Sequence, residues 1–226
     1  ECLPQAAVMG GSRVFLFLGS SLGNFSDDES VELMSLVARQ MESCSYDRFL
    51  VGVDTPHSAR KPASVIQAAY NDGRGVTAAF TLNALRHVNA VAGVDFDWRT
   101  GWRHHAVYSK SERSVVTHVQ AIGPQAVHAR DGSLVRAFAD GEMLFMEQSR
   151  KFDLHDMGEF ASRAGLVVRR SWQSHDDYHL IVEYVHRPPT LPRALASVMP
   201  SALLGASRSS DDDAPPESAD PVLGYD

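Results

Sequence analysis

The first apolar run of the chain leads into a polar turn that contains two glycines. Residues 14–18 are continuously apolar, and Gly19, Gly23 and Asn24 follow within six residues. A short continuous apolar run is typical of a strand that is covered on both faces in a parallel sheet. In open α/β sheets, ligands bind beyond the carboxyl ends of the strands. The pattern therefore predicts a ligand crevice beside this turn.

A helix and a second strand follow the turn. Apolar residues recur at helical spacing over residues 27–41, and three acidic residues stand in the first turn, where the helix dipole favours them. A second apolar run, residues 49–54, ends at Asp54. A strand, a helix and a strand in this order predict a right-handed βαβ crossover with two parallel strands. Asp54 is then expected at the ligand-bearing edge as well.

The hydrophobic period changes after Gly93. Before it, residues 55–62 hold two prolines and predict a loop, and residues 63–71 and 75–92 have helical spacing. After it, apolar and polar residues alternate in short runs, which predicts antiparallel strands with Asp131-Gly132 as a hairpin turn. These strands are predicted at residues 102–108, 114–122, 126–128, 134–137 and 143–151.

The last predicted elements are again a helix and strands, as at the beginning of the chain. Helical spacing over residues 154–164 ends at Gly165, which is suited to the left-handed position after a helix. Two further strands are predicted at residues 166–173 and 178–185, and they would complete the sheet begun at residue 14.

These elements predict an α/β core that an α+β subdomain interrupts. The core comprises residues 1–60 and 151–187, and the inserted subdomain comprises residues 61–150. Residues 188–226 are rich in Pro, Ser and Asp, so they are predicted to be a disordered tail.

Composition narrows the class of protein. The chain of 226 residues has a net charge of −7, and residues 207–226 hold six acidic residues against one arginine, so the remaining chain is close to neutral. It has no clustered Lys and Arg and no apolar stretch of about twenty residues, so neither nucleic acid nor membrane is expected as a partner. Two cysteines make no disulfide framework, which favours a reducing, cytoplasmic location.

One common catalytic motif and the usual metal motifs are missing from the sequence. It contains no Walker glycine loop, whereas GSSLG at residues 19–23 does match the Gly-x-Ser-x-Gly pattern. His175 and His179 are four residues apart in a predicted turn and strand, with no Cys or Glu to complete a zinc set, so no metal is expected. A nucleoside-triphosphatase function therefore loses its usual support.

Four segments together resemble a known family. They are GSSLGNF at residues 19–25, LVGVD at 50–54, AAYNDGRGVTAAFTLNALRHVN at 68–89 and MEQSRKF at 146–152. The sequence resembles the histidine-specific N-α-methyltransferases of ergothioneine biosynthesis from about Arg13 to Val185. The related fungal enzyme that methylates dimethylallyltryptophan shares this scaffold, and it remains the nearest alternative.

The resemblance implies a partial class I (Rossmann-like) fold that uses S-adenosyl-L-methionine, with an inserted substrate-binding subdomain. It implies that Gly19 lies against the cofactor, that Asn24 and Tyr70 hold the carboxylate and α-amine of the amino acid, and that Glu147 and Ser149 bind the imidazole. Residues two apart on a strand point to the same face. A carboxylate and a hydroxyl can accept the ring N–H groups of histidine.

The implied reaction requires little beyond placement of the substrate. A sulfonium methyl group is already activated, so the protein has to bind a neutral amine in line with it. Three transfers would give the trimethylated product, hercynine. No residue is therefore assigned as a nucleophile, acid or base.

The sequence departs from the family in what it lacks. Neither the glycine-rich loop after a first strand, nor the ribose acid after a second, nor the family's N-terminal substrate segment with tyrosines is found in the 226 residues. The chain also opens on Glu1, so we expect the C-terminal part of a longer protein in which the first half of the sheet is missing. A noncatalytic remnant that binds a partner or an amino acid stays open, as does fusion to further domains such as a sulfoxide synthase module.

Overall fold

The computed structural model describes residues 11–187. These residues group as one compact unit. The predicted disordered tail, residues 188–226, lies outside the described residues. The elements in chain order are β1 (Val14–Phe17), a 3-10 helix (Ser21–Asn24), α1 (Asp27–Met41), β2 (Arg48–Asp54), α2 (Ala63–Tyr70), α3 (Val76–Ala92), β3 (Trp102–Ser109), β4 (Ser114–Ala121), β5 (Gln125–His128), β6 (Leu134–Phe138), β7 (Met143–Arg150), α4 (Leu154–Ala164), β8 (Leu166–Gln173) and β9 (His179–His186).

A mixed four-stranded sheet joins the two ends of the described chain. Its strand order is β1-β2-β9-β8. The pair of β1 and β2 is parallel, whereas β9 runs antiparallel to both β2 and β8. The predicted parallel strands around α1 are confirmed, and so is the prediction that the last two strands complete the sheet begun at residue 14. The α/β fold class follows from this sheet and its helices.

The prediction that the first strand is covered on both faces is wrong. Val14 and Leu16 are 59% and 62% exposed, whereas Phe15 and Phe17 pack against the core. Within residues 11–187, β1 pairs only with β2 and so forms an edge of the sheet. The apolar run therefore belongs to a strand with one buried face, and no described element packs against its other face.

Two helices cover the same core beside this sheet. The buried cluster takes Met34 and Met41 from α1, Phe160 from α4, and Phe49 and Tyr184 from the strands. Both helices begin with a capping box, in which the side chain before the helix and the third helical residue bond to each other's backbone N–H. This packing holds the carboxyl ends of β1 and β2 in place.

The middle of the chain forms antiparallel structure, as predicted. β3, β4 and β7 make a three-stranded sheet, and β5 and β6 make a hairpin. The N–H of Gly132 donates to the carbonyl of Ala129 within that hairpin, and its φ of 82° confirms the predicted turn. A separate buried cluster around Leu85, Trp102 and Phe138 lies under α3. The division into a core and an inserted subdomain at residues 61–150 remains our proposal.

The end of β7 contacts the mixed sheet at two points. The N–H of Phe152 donates to the carbonyl of Asp54 at 3.0 Å. Gly23 lies so close to the strand end that a Cβ there would stand 2.3 Å from the carbonyl oxygen of Arg150, so only glycine fits. These contacts bring the carboxyl end of β7 beside the carboxyl ends of β1 and β2. In the part of the chain described, no helix is long and apolar enough to cross a membrane.

Candidate functional site

A cleft of about 740 Å³ opens where β1, β2 and β7 end. α2 and the start of β9 form its other sides. All five residues that the sequence nominated for substrate or cofactor line this one cleft, although they lie up to 130 positions apart in the chain; they are Gly19, Asn24, Tyr70, Glu147 and Ser149. Their assignment to particular ligands stays a prediction.

The turn after β1 is held by hydrogen bonds between Ser20 and strand β2. The N–H of Ser20 donates to the carbonyl of Gly52 at 3.1 Å, and the Ser20 hydroxyl accepts the N–H of Asp54 at 2.9 Å. Gly19 has a φ of +89°, and a Cβ there would meet nothing within 4 Å. The backbone of Gly19 is therefore open for a ligand to approach.

Asn24 ends the 3-10 helix at the mouth of the cleft. Its side chain is exposed, and it makes no hydrogen bond with any residue between 11 and 187. An amide in this position has one acceptor oxygen and two N–H donors to offer a ligand. The structure thus leaves Asn24 free for the predicted role at the carboxylate or α-amine.

Glu147 and Ser149 project from the same face of β7. They pair with Thr117 and Val115 of β4, respectively, and both line the cleft. Glu147 is half-buried and makes neither a hydrogen bond nor an ion pair with any described residue. Its carboxylate is therefore available to accept a donor from a ligand.

The hydroxyls of Tyr70 and Ser149 meet over a buried ammonium group. Tyr70 donates to the Ser149 Oγ atom at 2.8 Å. The Nζ atom of Lys151 donates to the Tyr70 oxygen at 2.7 Å and to the Ser149 Oγ atom at 2.9 Å. Its third partner is Asp54, whose Oδ2 atom lies 3.0 Å away. The side chain of Lys151 is 1% exposed, so a buried and paired charge lies behind the wall of the cleft.

Asp54 serves a second lysine as well. The Nζ atom of Lys61 donates to the other oxygen of Asp54, to the carbonyl of Thr55 at 2.7 Å and to the carbonyl of Tyr178 at 3.2 Å. Burial lowers the pKa of Lys61, and its bond to Asp54 opposes this effect. We call Asp54, Lys61 and Lys151 the charge cluster.

Sequence reasoning found only part of the charge cluster. Asp54 stood out as the acid at the end of a strand, and Lys151 belonged to the MEQSRKF segment, but neither was nominated for the site. Lys61 was missed altogether, since a lysine in a proline-containing loop carries no signal of burial. Within residues 11–187, no three His, Cys, Asp or Glu side chains are arranged to hold a metal ion.

Comparison with known proteins shows what this chain is similar to. A sequence profile of the histidine-specific, S-adenosylmethionine-dependent methyltransferases matches residues 2–185. The histidine N-alpha-methyltransferase of Mycobacterium tuberculosis is 32% identical over 163 residues, which cover 72% of this chain and 49% of that protein. Ergothioneine biosynthesis protein 1 of Neurospora crassa is 29% identical over 181 residues, which cover 74% of this chain and 18% of that protein. The chain thus spans about half the length of the bacterial relative.

The similarity to solved structures is weaker than the similarity to these sequences. An S-adenosylmethionine-dependent methyltransferase from Clostridium acetobutylicum superposes with a TM-score of 0.38 at 9% identity, covering 77% of this chain and 58% of that one. The CcbJ methyltransferase from Streptomyces caelestis reaches a TM-score of 0.39 at 12% identity, covering 81% of this chain and 61% of that one. Likenesses at this level support no argument about the site.

Proposed function

Because the chain belongs to the family of histidine-specific, S-adenosylmethionine-dependent methyltransferases, we propose that the protein transfers methyl groups to the α-amine of L-histidine. The observation that carries the proposal is the convergence of five separated residues on one cleft. Three successive transfers give hercynine, the betaine of histidine, as in ergothioneine biosynthesis.

The polar groups of the cleft fit an amino acid with a polar ring. Glu147 and Ser149 project together from β7 and take the imidazole. Asn24 and Tyr70 take the carboxylate and α-amine from the other side. A site built of such groups rejects side chains that cannot pair with them, because its own buried polar atoms would then stay unsatisfied.

The turn after β1 fits one edge of the cofactor. S-Adenosylmethionine supplies a methyl group that its sulfonium already activates. The open backbone at Gly19 gives the cofactor a place of close approach. Asp54 does not fit the role of the ribose acid, since one of its carboxylate oxygens pairs with the ammonium group of Lys61 and the other with that of Lys151.

The described residues therefore provide part of a cofactor site. We propose that full affinity for S-adenosylmethionine needs groups beyond residues 11–187, that the reaction takes place in the cytoplasm, and that further domains accompany the methyltransferase in the whole protein. The chain itself contributes the substrate side of the reaction, where it binds the amine and aligns its lone pair with the methyl carbon.

A competition assay tests the choice of substrate. Purified protein is incubated with S-adenosylmethionine and equal amounts of histidine and dimethylallyltryptophan, and mass spectrometry follows mono-, di- and trimethylated products. We expect methylated histidine to dominate. Preference for the indole substrate would show that the assignment of Glu147 and Ser149 is wrong, and methylation of neither would support the noncatalytic remnant.

A double variant tests the two residues directly. We expect Glu147→Met with Ser149→Ala to weaken histidine by about 2 to 5 kcal/mol, because charge-assisted hydrogen bonds in a desolvated pocket are lost. Gln148→Met is the matched control, since Gln148 lies between them on β7 and bonds to the carbonyl of Phe25 outside the cleft. A double variant that still prefers histidine would contradict the assignment.

A further inference from the structure

The hydrogen bonds beneath the cleft fix how many protons its wall can offer. An ammonium group has three N–H donors and no acceptor. The Nζ atom of Lys151 donates to the oxygens of Tyr70 and Ser149 at 2.7 and 2.9 Å, and it forms an ion pair with Asp54 at 3.0 Å. The ammonium group of Lys151 is therefore held by two hydroxyl oxygens and one carboxylate of the protein.

The hydrogen bond between the two hydroxyls uses the proton of Tyr70. Tyr70 donates its proton to the Ser149 Oγ atom at 2.8 Å. A serine hydroxyl has two acceptor lone pairs and one proton. Both lone pairs of Ser149 are occupied, one by Tyr70 and one by Lys151. The only hydrogen-bonding capacity left to Ser149 is its own O–H, and no described residue accepts it.

We propose that Lys151 is a positioning residue that makes the Ser149 hydroxyl a donor into the cleft, so that the site selects the neutral imidazole of its substrate. This inference rests on the proposed function. A neutral imidazole has one N–H and one acceptor nitrogen. The N–H donates to the free carboxylate of Glu147, and the acceptor nitrogen takes the proton of Ser149.

The imidazolium ion does not match this arrangement. Both of its ring nitrogens are donors, so one N–H would face the O–H of Ser149 and leave two donors unpaired in a mostly buried site. The charge cluster adds to the mismatch, because Lys61 and Lys151 together outweigh Asp54 by one positive charge beside Ser149. The attraction of a cationic ring to Glu147 works in the opposite direction, and the measured pH dependence reports which effect is larger. This donor role refines the expectation that the serine accepts a ring N–H.

Other charged and titratable groups surround the hydroxyl pair. Asp54 comes from β2, His104 of β3 contacts the backbone carbonyl of Tyr70 through its Nε2 atom at 2.8 Å, and His179 of β9 has its Nδ1 atom 4.0 Å from Asp54. The remaining ones are Lys61, Tyr70, Glu147, Lys151, Asp176 and Tyr178. Because histidines ordinarily titrate between pH 5 and 8, the experiment has to separate the substrate's ring from these groups.

A ligand pair achieves that separation. Histidine and 1,2,4-triazol-3-ylalanine have the same α-amine and carboxylate, but the triazole ring is far less basic and stays neutral at pH 5. Titration calorimetry on the purified full-length protein gives the dissociation constant of each ligand at pH 7.0 and at pH 5.0. Any protonation of the protein that acts on the common part of the two ligands cancels in the ratio of their constants.

We expect the ratio of the histidine constant to the triazole constant to rise towards roughly 25-fold between pH 7.0 and pH 5.0. That value is the loss of the neutral form of an imidazole with a pKa of about 6.5. A ratio that stays constant or falls towards acid pH would overturn the proposal while leaving histidine as a ligand. Absence of histidine binding at either pH would overturn the proposed function together with this inference.

Variants identify the source of the effect. Lys151→Met frees a lone pair of Ser149 to accept an N–H, so we expect the rise in the ratio to fall below threefold. Lys61→Met is the matched control, because it removes an ammonium group from Asp54 without contacting either hydroxyl; it also removes the excess positive charge, and we expect it to keep a rise well above threefold. If Lys151→Met does not fold, Ser149→Ala provides the comparison, and a full rise in that variant would overturn the donor role of the hydroxyl.

Discussion

Replacing Asp54 with asparagine should leave two buried ammonium groups without their counter-charge. Asp54 forms ion pairs with Lys61 and Lys151, whose side chains are 4% and 1% exposed. Asparagine keeps the shape and one acceptor oxygen, so the change removes charge with little loss of packing. The variant therefore isolates the electrostatic part of the charge cluster.

The expected loss is large because one carboxylate compensates both cations. Removing one partner of a buried ion pair usually costs about 3 to 5 kcal/mol, since the remaining charge stays desolvated. The side chain of Asp54 is 21% exposed, so in the variant water can partly solvate the two ammonium groups. We expect Asp54→Asn to lower the free energy of unfolding by about 2 to 4 kcal/mol at pH 7.

The loss should also depend on pH in a defined direction. Burial already holds the pKa of Lys61 below its ordinary value, and Asp54 is the main group that raises it. In the folded variant this pKa falls further, so between it and 10.5 the unfolded chain binds more protons than the folded one, and stability rises with pH. The deficit of the variant should therefore shrink as the pH is raised from 7 towards 10.

Urea titrations followed by tryptophan fluorescence measure this, because Trp102 is buried and becomes exposed on unfolding. Asp28→Asn is the matched control, since Asp28 also pairs with a cation, Arg163, but its side chain is 90% exposed. The control should cost less than about 1 kcal/mol. A loss below 1 kcal/mol for Asp54→Asn, or one that grows with pH, would refute the account of a shared counter-charge.

Three further predictions concern the cleft and one helix start. Asn24→Ala should lower kcat/KM for histidine by roughly 10- to 100-fold, as expected for lost bonds to charged groups; unchanged kinetics would show that the amide only ends the 3-10 helix. The 226-residue chain by itself should bind S-adenosylmethionine more weakly than micromolar in calorimetry, because the cleft offers no free ribose acid besides Glu147 among the described residues; micromolar binding would contradict this. The N–H groups of Val76 and Thr77 lower the pKa of Asp72 to about 2 from 3.8, so its contribution to stability, present above pH 4, should disappear as the pH falls towards 2. Urea midpoints of Asp72→Asn should lack that part of the acid transition, and an unchanged profile would count against the cap.

The order of elements could be read from the sequence because local patterns determine it. α1 and α4 have the predicted bounds, since Ser26 and three acidic residues mark the start of α1 and Gly165 marks the end of α4. The short antiparallel strands agree with prediction within two residues. Whether both faces of β1 are covered could not be predicted, because an apolar run shows which residues a strand can bury but not which elements pack against it.

Part of the candidate site could likewise be predicted from the sequence, and part could not. Resemblance nominated residues that the fold then brings to one cleft, which is a long-range result that no local pattern contains. The charge cluster escaped because burial of a lysine depends on three acceptors from distant segments. For Lys61 these acceptors come from Asp54, Thr55 and Tyr178.

The two carboxylates of the cleft have different surroundings, and we expect that difference to orient the proposed substrate. Asp54 is neutralised by two ammonium groups, whereas Glu147 has no partner among the described residues. A substrate carboxylate placed beside Glu147 would meet an uncompensated like charge, but beside Tyr70 it would face the side of the charge cluster that carries excess positive charge. The α-carboxylate is therefore favoured towards Tyr70 and Asn24, and the ring N–H towards Glu147. The electrostatics of the cleft thus give the same direction of binding that the resemblance implied from separate residues.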